Sequence, residues 1–315
     1  MSARYAVFSG SCLTLGAIQY LHQANLLACV VLPDAEPNPD LVRLEEFLRH
    51  QQVKVLKYQH ESDDELLASL DRLGINGGLV HLFRHKIRQR LIQFFAGNLY
   101  NVHPGALPDY RGPMPLFWQL RNGESEVCLT LHRVTSDLDC GEIGAELEVP
   151  IHPFDTHQCL HQKTAQAIPE LLSQFFSLQQ GGELQWREQV LVKDGGASEE
   201  PRQFARQVRQ EDLLVDWQRH SSAEIINLAR AANADLGGAR FVLREAAYQL
   251  LQATRVEQDM AGIRPGTVVS LGRRDGLVVK TRDGALRLDV VVAPQGIFDG
   301  YKFAVLFGLD PGLSL

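Results

Sequence analysis

The opening of the chain sets the folding problem. Tyr5-Ala-Val-Phe8 is a short apolar run, and Ser9-Gly10-Ser11-Cys12 is a turn. Leu13 to Ala24 carries apolar residues at helical spacing (Leu15, Ile18, Leu21), and Leu26 to Leu32 is apolar again before Pro33-Asp34. Two strands separated by a helix pair in parallel, so this is the start of a βαβ unit on a parallel sheet. The Ser-Gly-Ser turn is not the G-x-G-x-x-G of dinucleotide folds. Folds of this class still bind ligands beyond the carboxyl ends of their strands. Ser9, Gly10 and Ser11 are therefore candidate substrate contacts.

The alternation continues. Helices are expected over 41–50, 62–73, 87–95 and 114–122, the last ended by Gly123, and strands over 53–58, 78–83, 99–103, 126–134 and 144–149. Ser62 with Glu65 three residues on reads as a capping box. Asp155 reads as the cap of a long helix over 155–178. Residues 181–205 contain Gly181-Gly182 and the polar, turn-rich run Lys193 to Pro201, the composition of a linker. Beyond it the pattern changes to one helix, 222–233, and short strands between glycine turns at 240–242, 248–251, 267–271, 276–281 and 285–292. Short, regularly spaced strands indicate a small antiparallel barrel. The expected organisation is a first domain over 1–180, a linker over 181–205 and a second domain over 206–315.

With 315 residues, 45% hydrophobic and 22% charged, the composition is that of a globular chain long enough for two domains. No apolar run reaches membrane-spanning length and no signal peptide is apparent, so the expected location is cytoplasmic. The five cysteines are scattered without a C-x-x-C pair, which indicates neither a zinc site nor a disulfide framework. The net charge is −7 and uneven. Residues 201–315 hold 15 Lys and Arg against 13 Asp and Glu, and residues 1–200 hold 16 against 25. The second part is less basic than a dedicated nucleic-acid domain.

The chemistry concentrates in residues 101–142. Asn101-Val-His103 ends a strand, a Pro/Gly-rich loop follows, and Leu138-Asp-Cys-Gly141 closes the stretch. An amide, an imidazole and a carboxylate on loops at either end of a helix-plus-strand unit suit acyl transfer to an amine. Asn101 and His103 can hold a developing oxyanion, while Asp139 orients the imidazole and takes the amine proton. Arg111 suits either an anion or the carbonyls of its own loop, and Tyr110 either packs or lines a pocket. Cys140 has no adjacent base and reads as a small filler. The remaining histidines, His132 among them, form no metal-spaced set, and no metal is expected.

At these residues the chain resembles the folate-dependent formyltransferase family, most closely its methionyl-tRNA formyltransferase-like branch, which also includes amino-sugar N-formyltransferases. The matching pieces are Phe8-Ser-Gly10, Val31-Leu-Pro-Asp34, Asn101-Val-His103, Leu107-Pro-Asp-Tyr-Arg-Gly112 with Pro115, and Leu138-Asp-Cys-Gly141. Val215-Asp-Trp217, Ile226 to Asn233, Gly238-Ala239 and Pro265-Gly-Thr267 extend the likeness through the second part. The resemblance implies an α/β, Rossmann-like formyltransferase domain with a mostly parallel sheet, and a small C-terminal β-barrel domain of oligonucleotide-binding-like type. It implies 10-formyltetrahydrofolate as co-substrate and Asn101, His103 and Asp139 as the catalytic set. Folate contacts are implied at Gly105, Ala106, Leu107 and Pro108, and pterin contacts at Phe83, Arg84, Ile87, Val134 and Asp137. Ser9, Gly10, Ser11, Tyr110 and Arg111 are left for the acceptor. The state is expected to be a monomer or homodimer.

The departures bear on the acceptor. Where members that act on tRNA carry a long basic loop, this chain reads Ala35-Glu-Pro-Asn-Pro-Asp40, short and acidic. Binding of a nucleic acid relies on phosphate neutralisation. A small amine, either an amino sugar nucleotide or an amino-acid derivative, is therefore expected ahead of methionyl-tRNA. The usual Ser-Leu-Leu-Pro is Gly105 to Pro108, and the segment His81 to Lys86 lacks the family's common glycine and is more basic. A hydrolase releasing formate, and a non-catalytic folate binder, are the competing readings.

Overall fold

The computed structural model describes residues 3–36, 38–59, 63–190, 192–193, 196–197, 203–257 and 262–315. In chain order the first elements are β1 (Tyr5–Phe8), α1 (Leu15–Gln23), β2 (Leu27–Pro33), α2 (Pro39–His50), β3 (Val55–Tyr58), α3 (Asp64–Arg72), β4 (Gly77–Val80), α4 (Gln89–Phe95) and β5 (Leu99–Pro104). Then come α5 (Pro115–Asn122), β6 (Glu126–Arg133), β7 (Ile143–Pro150), α6 (His157–Gly181) and two short strands, β8 (Val192–Lys193) and β9 (Gly196–Ala197). The last part holds α7 (Ser222–Ala232), β10 (Ala239–Leu243), β11 (Ala246–Val256), β12 (Val268–Gly272), β13 (Gly276–Lys280), β14 (Ala285–Ala293), β15 (Gly296–Phe298) and α8 (Gly300–Phe307). Residues 1–113, 126–150 and 161–204 form one compact unit, and residues 114–125, 151–160 and 205–315 form another.

The first unit is the expected mostly parallel α/β domain. Its seven strands run in the order β3-β2-β1-β4-β5-β6-β7. β1 to β5 pair in parallel, and β6 and β7 add antiparallel at one edge. β1 and β4 are buried along their whole length, as strands covered on both faces must be. Gly77 and Gly78 on β4 leave room for large neighbours. A Cβ at either would lie 2.5 Å from the Tyr5 ring or from Leu99 Cδ1. Strand order reverses between β1 and β4, so the turn after β1 (residues 9–11) and the segment after β4 (residues 81–87) meet at the switch point where such sheets bind ligands. α6 keeps its course through Pro169. Proline has no N–H to give the carbonyl four residues back. That carbonyl, Ala165 O, and the proline ring lie 3.3 Å from where a Cβ on Gly16 of α1 would stand.

The second unit is an antiparallel sheet in the order β10-β11-β14-β13-β12, with β15 on β14, together with α5, α7 and α8. α7 begins with a full capping box: Ser221 Oγ accepts from Glu224 N and Glu224 Oε2 accepts from Ser221 N. Phe303 of α8 packs on Phe241 and Tyr248 at ring distances of 5.8 and 5.2 Å.

Several boundaries depart from the sequence expectations. β4 stops at Val80 rather than residue 83, because Leu82 takes a left-handed backbone (φ 50°) that no strand can continue. α3 starts at Asp64, and the expected cap Ser62 lies outside the described residues. α6 starts at His157, with Thr156 Oγ1 accepting from Cys159 N, whereas Asp155 turns back to accept from His152 N. The first helix opens as a 3-10 turn at Cys12–Thr14. β15 and α8 were not expected at all. Part of the polar run from Lys193 to Pro201 lies outside the described residues. Among the described residues no helix is long and apolar enough to cross a membrane.

Candidate active site

Antiparallel register builds the site. On β5, Asn101 faces His132 of β6 and His103 faces Thr130. The four side chains share one face of the sheet, because residues two apart on a strand point the same way. The Leu138–Gly141 loop then brings Asp139 back over them. Asp139 is buried (7% exposed) and its backbone is left-handed (φ 54°).

One carboxylate gathers the cluster. Gly112 N donates to Asp139 Oδ2 at 3.0 Å, and His103 Nδ1 lies 3.6 Å from the same oxygen. Asn101 Nδ2 stands 3.4 Å from Oδ1, and His132 Nε2 stands 3.6 Å from it. His103 Nε2 is 2.8 Å from the backbone oxygen of Tyr110, which only accepts, so Nε2 carries a hydrogen. The same reasoning places a hydrogen on His132 Nδ1, 2.8 Å from Arg133 O. His132 Nε2 then accepts from Asn101 Nδ2 at 3.1 Å, which fixes which end of the Asn101 amide is nitrogen.

Burial pushes the His103 imidazole below the ordinary histidine range, and Asp139 restores only part of the difference. Burial alone would raise Asp139, but His132, His103 and the Gly112 amide outweigh it and hold the carboxyl below its usual range. At neutral pH the pair is thus a neutral imidazole beside a carboxylate. Two proton acceptors, His103 Nδ1 and Asp139 Oδ2, face each other across 3.6 Å.

The other candidate residues fall into distinct places. Tyr110 is buried with a left-handed backbone (φ 57°); its N–H donates to Gln203 O and its carbonyl serves His103. Arg111 is buried and gives Nε and Nη2 to Gln189 Oε1 at 3.0 and 2.5 Å. Gly105 lies against the His103 ring: a Cβ there would come within 3.0 Å of Nε2. Its carbonyl accepts from Thr130 Oγ1 at 2.9 Å. Leu107 is buried, Ala106 exposed, and the Leu107–Pro108 peptide is cis. Phe83, Ile87 and Val134 share one hydrophobic cluster with Phe8 and Tyr58, whereas Arg84 and Asp137 are exposed.

At the switch point the hydroxyls form a buried chain. Ser9 Oγ is 2.6 Å from Thr14 Oγ1, which is 2.9 Å from His81 Nδ1. Ser11 Oγ accepts from Leu13 N, and Cys12 N donates to both oxygens of Asp40. His81 is fully buried, and burial together with His161 pushes it down to about 3. Its folded form stays neutral where the unfolded one is charged, so stability falls as pH drops through the ordinary histidine range toward 3. Between pH 7 and 5 this single group is expected to cost about 2 kcal/mol, at roughly 1.4 kcal/mol per unit below 6.5. Urea unfolding at the two pH values should show that much less acid loss in His81→Asn than in the unaltered protein; equal losses would refute the assignment.

Two residues of the cluster were missed by sequence reasoning. His132 belongs to no metal pattern, yet pairing 99–104 with 126–133 as antiparallel strands puts it opposite Asn101. Gln189, whose amide touches both Arg111 and the Asp139 loop, sits in a polar segment with no local signal.

The formyl transferase family model matches residues 12–176, and the model of the formyl transferase C-terminal domain matches residues 207–297. Among solved structures, an N-formyltransferase from Helicobacter canadensis, in complex with folinic acid and dTDP-3-aminofucose, is 15% identical, with 94% of this chain and 100% of that chain covered and a TM-score of 0.64. WlaRD, a sugar 3N-formyl transferase, is 16% identical over 93% of this chain and 97% of its own, with a TM-score of 0.64. HypX from Aquifex aeolicus, in complex with tetrahydrofolic acid, is 18% identical over 96% of this chain, with a TM-score of 0.57; this chain covers 47% of HypX, about half its length. At these identities the likenesses are of fold. The family match runs from the start of the first helix into α6 and takes in Asn101, His103 and Asp139, and the chain belongs to the formyl transferase family of enzymes.

Proposed function

We propose that this enzyme moves a formyl group from 10-formyltetrahydrofolate to the primary amine of a small acceptor. The observation that carries the reading is the buried cluster in which Asn101, His103 and His132 surround the Asp139 carboxylate. The donor is supported by the relatives whose structures hold tetrahydrofolic acid, 5-N-formyl-THF or folinic acid.

The residues fit such a transfer. Of the two Asn101 hydrogens, the one toward His132 is well placed, while the one toward Asp139 spans 3.4 Å and is weak. That second hydrogen is available to a formyl oxygen as negative charge grows on it. Attack forms one carbon–nitrogen bond and breaks another. The acceptor nitrogen loses a proton and the departing folate nitrogen gains one. His103 Nδ1 and Asp139 Oδ2 together can take the first proton between them and return it as the second. His132 holds the Asn101 amide in place, and Tyr110 O holds the His103 ring.

Charge selects the acceptor class. Cys12 N, the amide at the β1–α1 turn, already donates to the Asp40 carboxylate, and the stretch 35–40 carries two acidic residues and no basic one. A polyanion would be repelled there. The deciding experiment follows tetrahydrofolate and formate release from 10-formyltetrahydrofolate. Amino sugar nucleotides, amino acids, methionyl-tRNA and buffer alone are offered in parallel. Saturable turnover with a small amine is expected. Turnover with methionyl-tRNA alone would overturn the acceptor class, formate release without any amine would make the enzyme a hydrolase, and no tetrahydrofolate in any arm would overturn the reading.

A further inference from the structure

The segment after α6 reaches the site through one side chain. Ile143 and Arg187 exchange backbone hydrogen bonds of 2.8 and 2.9 Å, which anchors the segment beside β7. Two residues further, Gln189 Oε1 accepts from Arg111 Nε and Nη2 at 3.0 and 2.5 Å. Its Nε2 donates to Asp139 O at 2.9 Å and to Gly141 O at 2.7 Å. Both hydrogens and the oxygen of the amide are thus committed, and all of them to residues flanking the cluster. Arg111 adjoins Gly112, whose N–H holds Asp139 Oδ2. The Gln189 amide therefore bridges the two loops that together hold the carboxylate.

The Asp139 backbone needs such a bridge. Its φ of 54° is sparsely populated for a residue with a side chain and persists only where the surroundings impose it. Gln189 grips the carbonyls of residues 139 and 141 on either side of Cys140.

We infer that Gln189 is a positioning residue for formyl transfer: its amide clamps the Asp139 loop to Arg111 and so keeps the Asp139 carboxylate in register with His103. This rests on Asp139 and His103 acting as proposed above. A residue that merely tethered its own segment would leave the pair untouched when replaced.

Two variants separate these cases. Gln189→Met keeps the shape and removes every hydrogen bond. Gln189→Glu keeps the contact to Arg111 but turns a carboxylate oxygen toward two carbonyls and adds a negative charge beside Asp139. Formyl transfer from 10-formyltetrahydrofolate is measured with dTDP-3-aminofucose and the other panel amines. The imidazole nitrogen shifts of His103 are titrated in the ligand-free protein, with His103→Asn to assign them. Gln189→Met is expected to lose roughly ten- to a hundredfold in kcat, with KM for the folate changed less than about twofold, since a displacement near 1 Å costs about that much. In Gln189→Glu the His103 titration should move up, because a nearby negative charge favours the imidazolium. An unchanged His103 titration in Gln189→Glu, or wild-type kcat in Gln189→Met, would overturn the inference. If Asp139→Asn is inactive while Gln189→Met is fully active, only the positioning role fails. If Asp139→Asn is active, the reading beneath it fails. The titration needs no acceptor and reports even if every amine in the panel is refused.

Discussion

Replacing Asp139 by Asn is expected to lower the turnover of formyl transfer by about a hundred- to ten-thousandfold, the range for losing a positioned proton acceptor. The substitution is close to isosteric, and the amide oxygen can still accept from Gly112 N, so the loop has a reason to stay in place. What disappears is the carboxylate of the facing pair. With the amide oxygen in the Oδ2 place beside Gly112 N and His103 Nδ1, the amide nitrogen takes the Oδ1 place near His132 Nε2 and Asn101 Nδ2, and an uncharged amide oxygen is too weak a base to share the acceptor proton with the ring. His103 also loses the charge that partly offsets its burial, so it becomes still harder to protonate. In the unaltered enzyme both groups titrate below their ordinary ranges, so kcat/KM should hold on the acid side through the usual histidine range. Stability follows the same sign for Asp139. Its depressed carboxyl contributes above the unfolded carboxylate range, and that contribution is lost as pH falls through the folded value. Single-turnover transfer across pH 5 to 8, beside urea unfolding of both proteins, checks all of this. An Asn variant within about threefold of the parent would remove Asp139 from the mechanism.

What could be read from the sequence, and what could not, divides by range. The parallel frame was legible because β1, β2 and β4 are apolar runs punctuated by turns, and such runs admit few arrangements. Asn101, His103 and Asp139 stood out by spacing, and they lie in one cluster. His132 is 31 residues from Asn101 in sequence and becomes its neighbour only through β5–β6 register. Gln189 is further still, and its role depends on where the segment after α6 comes to rest. The hydrogens on His103 and His132 follow from two backbone carbonyls, Tyr110 O and Arg133 O, whose directions no residue pattern reveals. α8 was missed for a different reason. Its start and stop signals, Asp299 accepting from Lys302 N and Gly308 in left-handed backbone, were present but lay beyond a run read as strands.

The glycine of Leu-Asp-x-Gly is explained by space rather than by backbone angle, and this gives the second large effect. A Cβ on Gly141 would stand 1.9 Å from Arg133 O and 2.7 Å from Arg133 C, both backbone atoms that no rotamer change can move. Gly141→Ala is therefore expected to cost about 1–3 kcal/mol or more, as overpacking against fixed atoms does. Either of two things must yield. The end of β6 can shift, which strains the Arg133 N to Glu142 O bond of 2.9 Å and the ion pair between those side chains. Or the 138–141 loop can lift, which breaks the Gln189 to Gly141 O bond and draws Asp139 away from His103. The first lowers stability and leaves turnover per folded molecule near the parent value. The second lowers turnover about a hundredfold for a displacement near 1 Å. The loop is the expected casualty, because β6 is held on both sides by β5 and β7 whereas the loop is held by side chains. Cys140→Ala is the control: among the described residues its thiol bonds to Leu138 O alone, and its loss should change neither quantity appreciably. Urea midpoints and turnover for both variants give the result, and Gly141→Ala with parental stability and turnover would show that the close approach to Arg133 is not real.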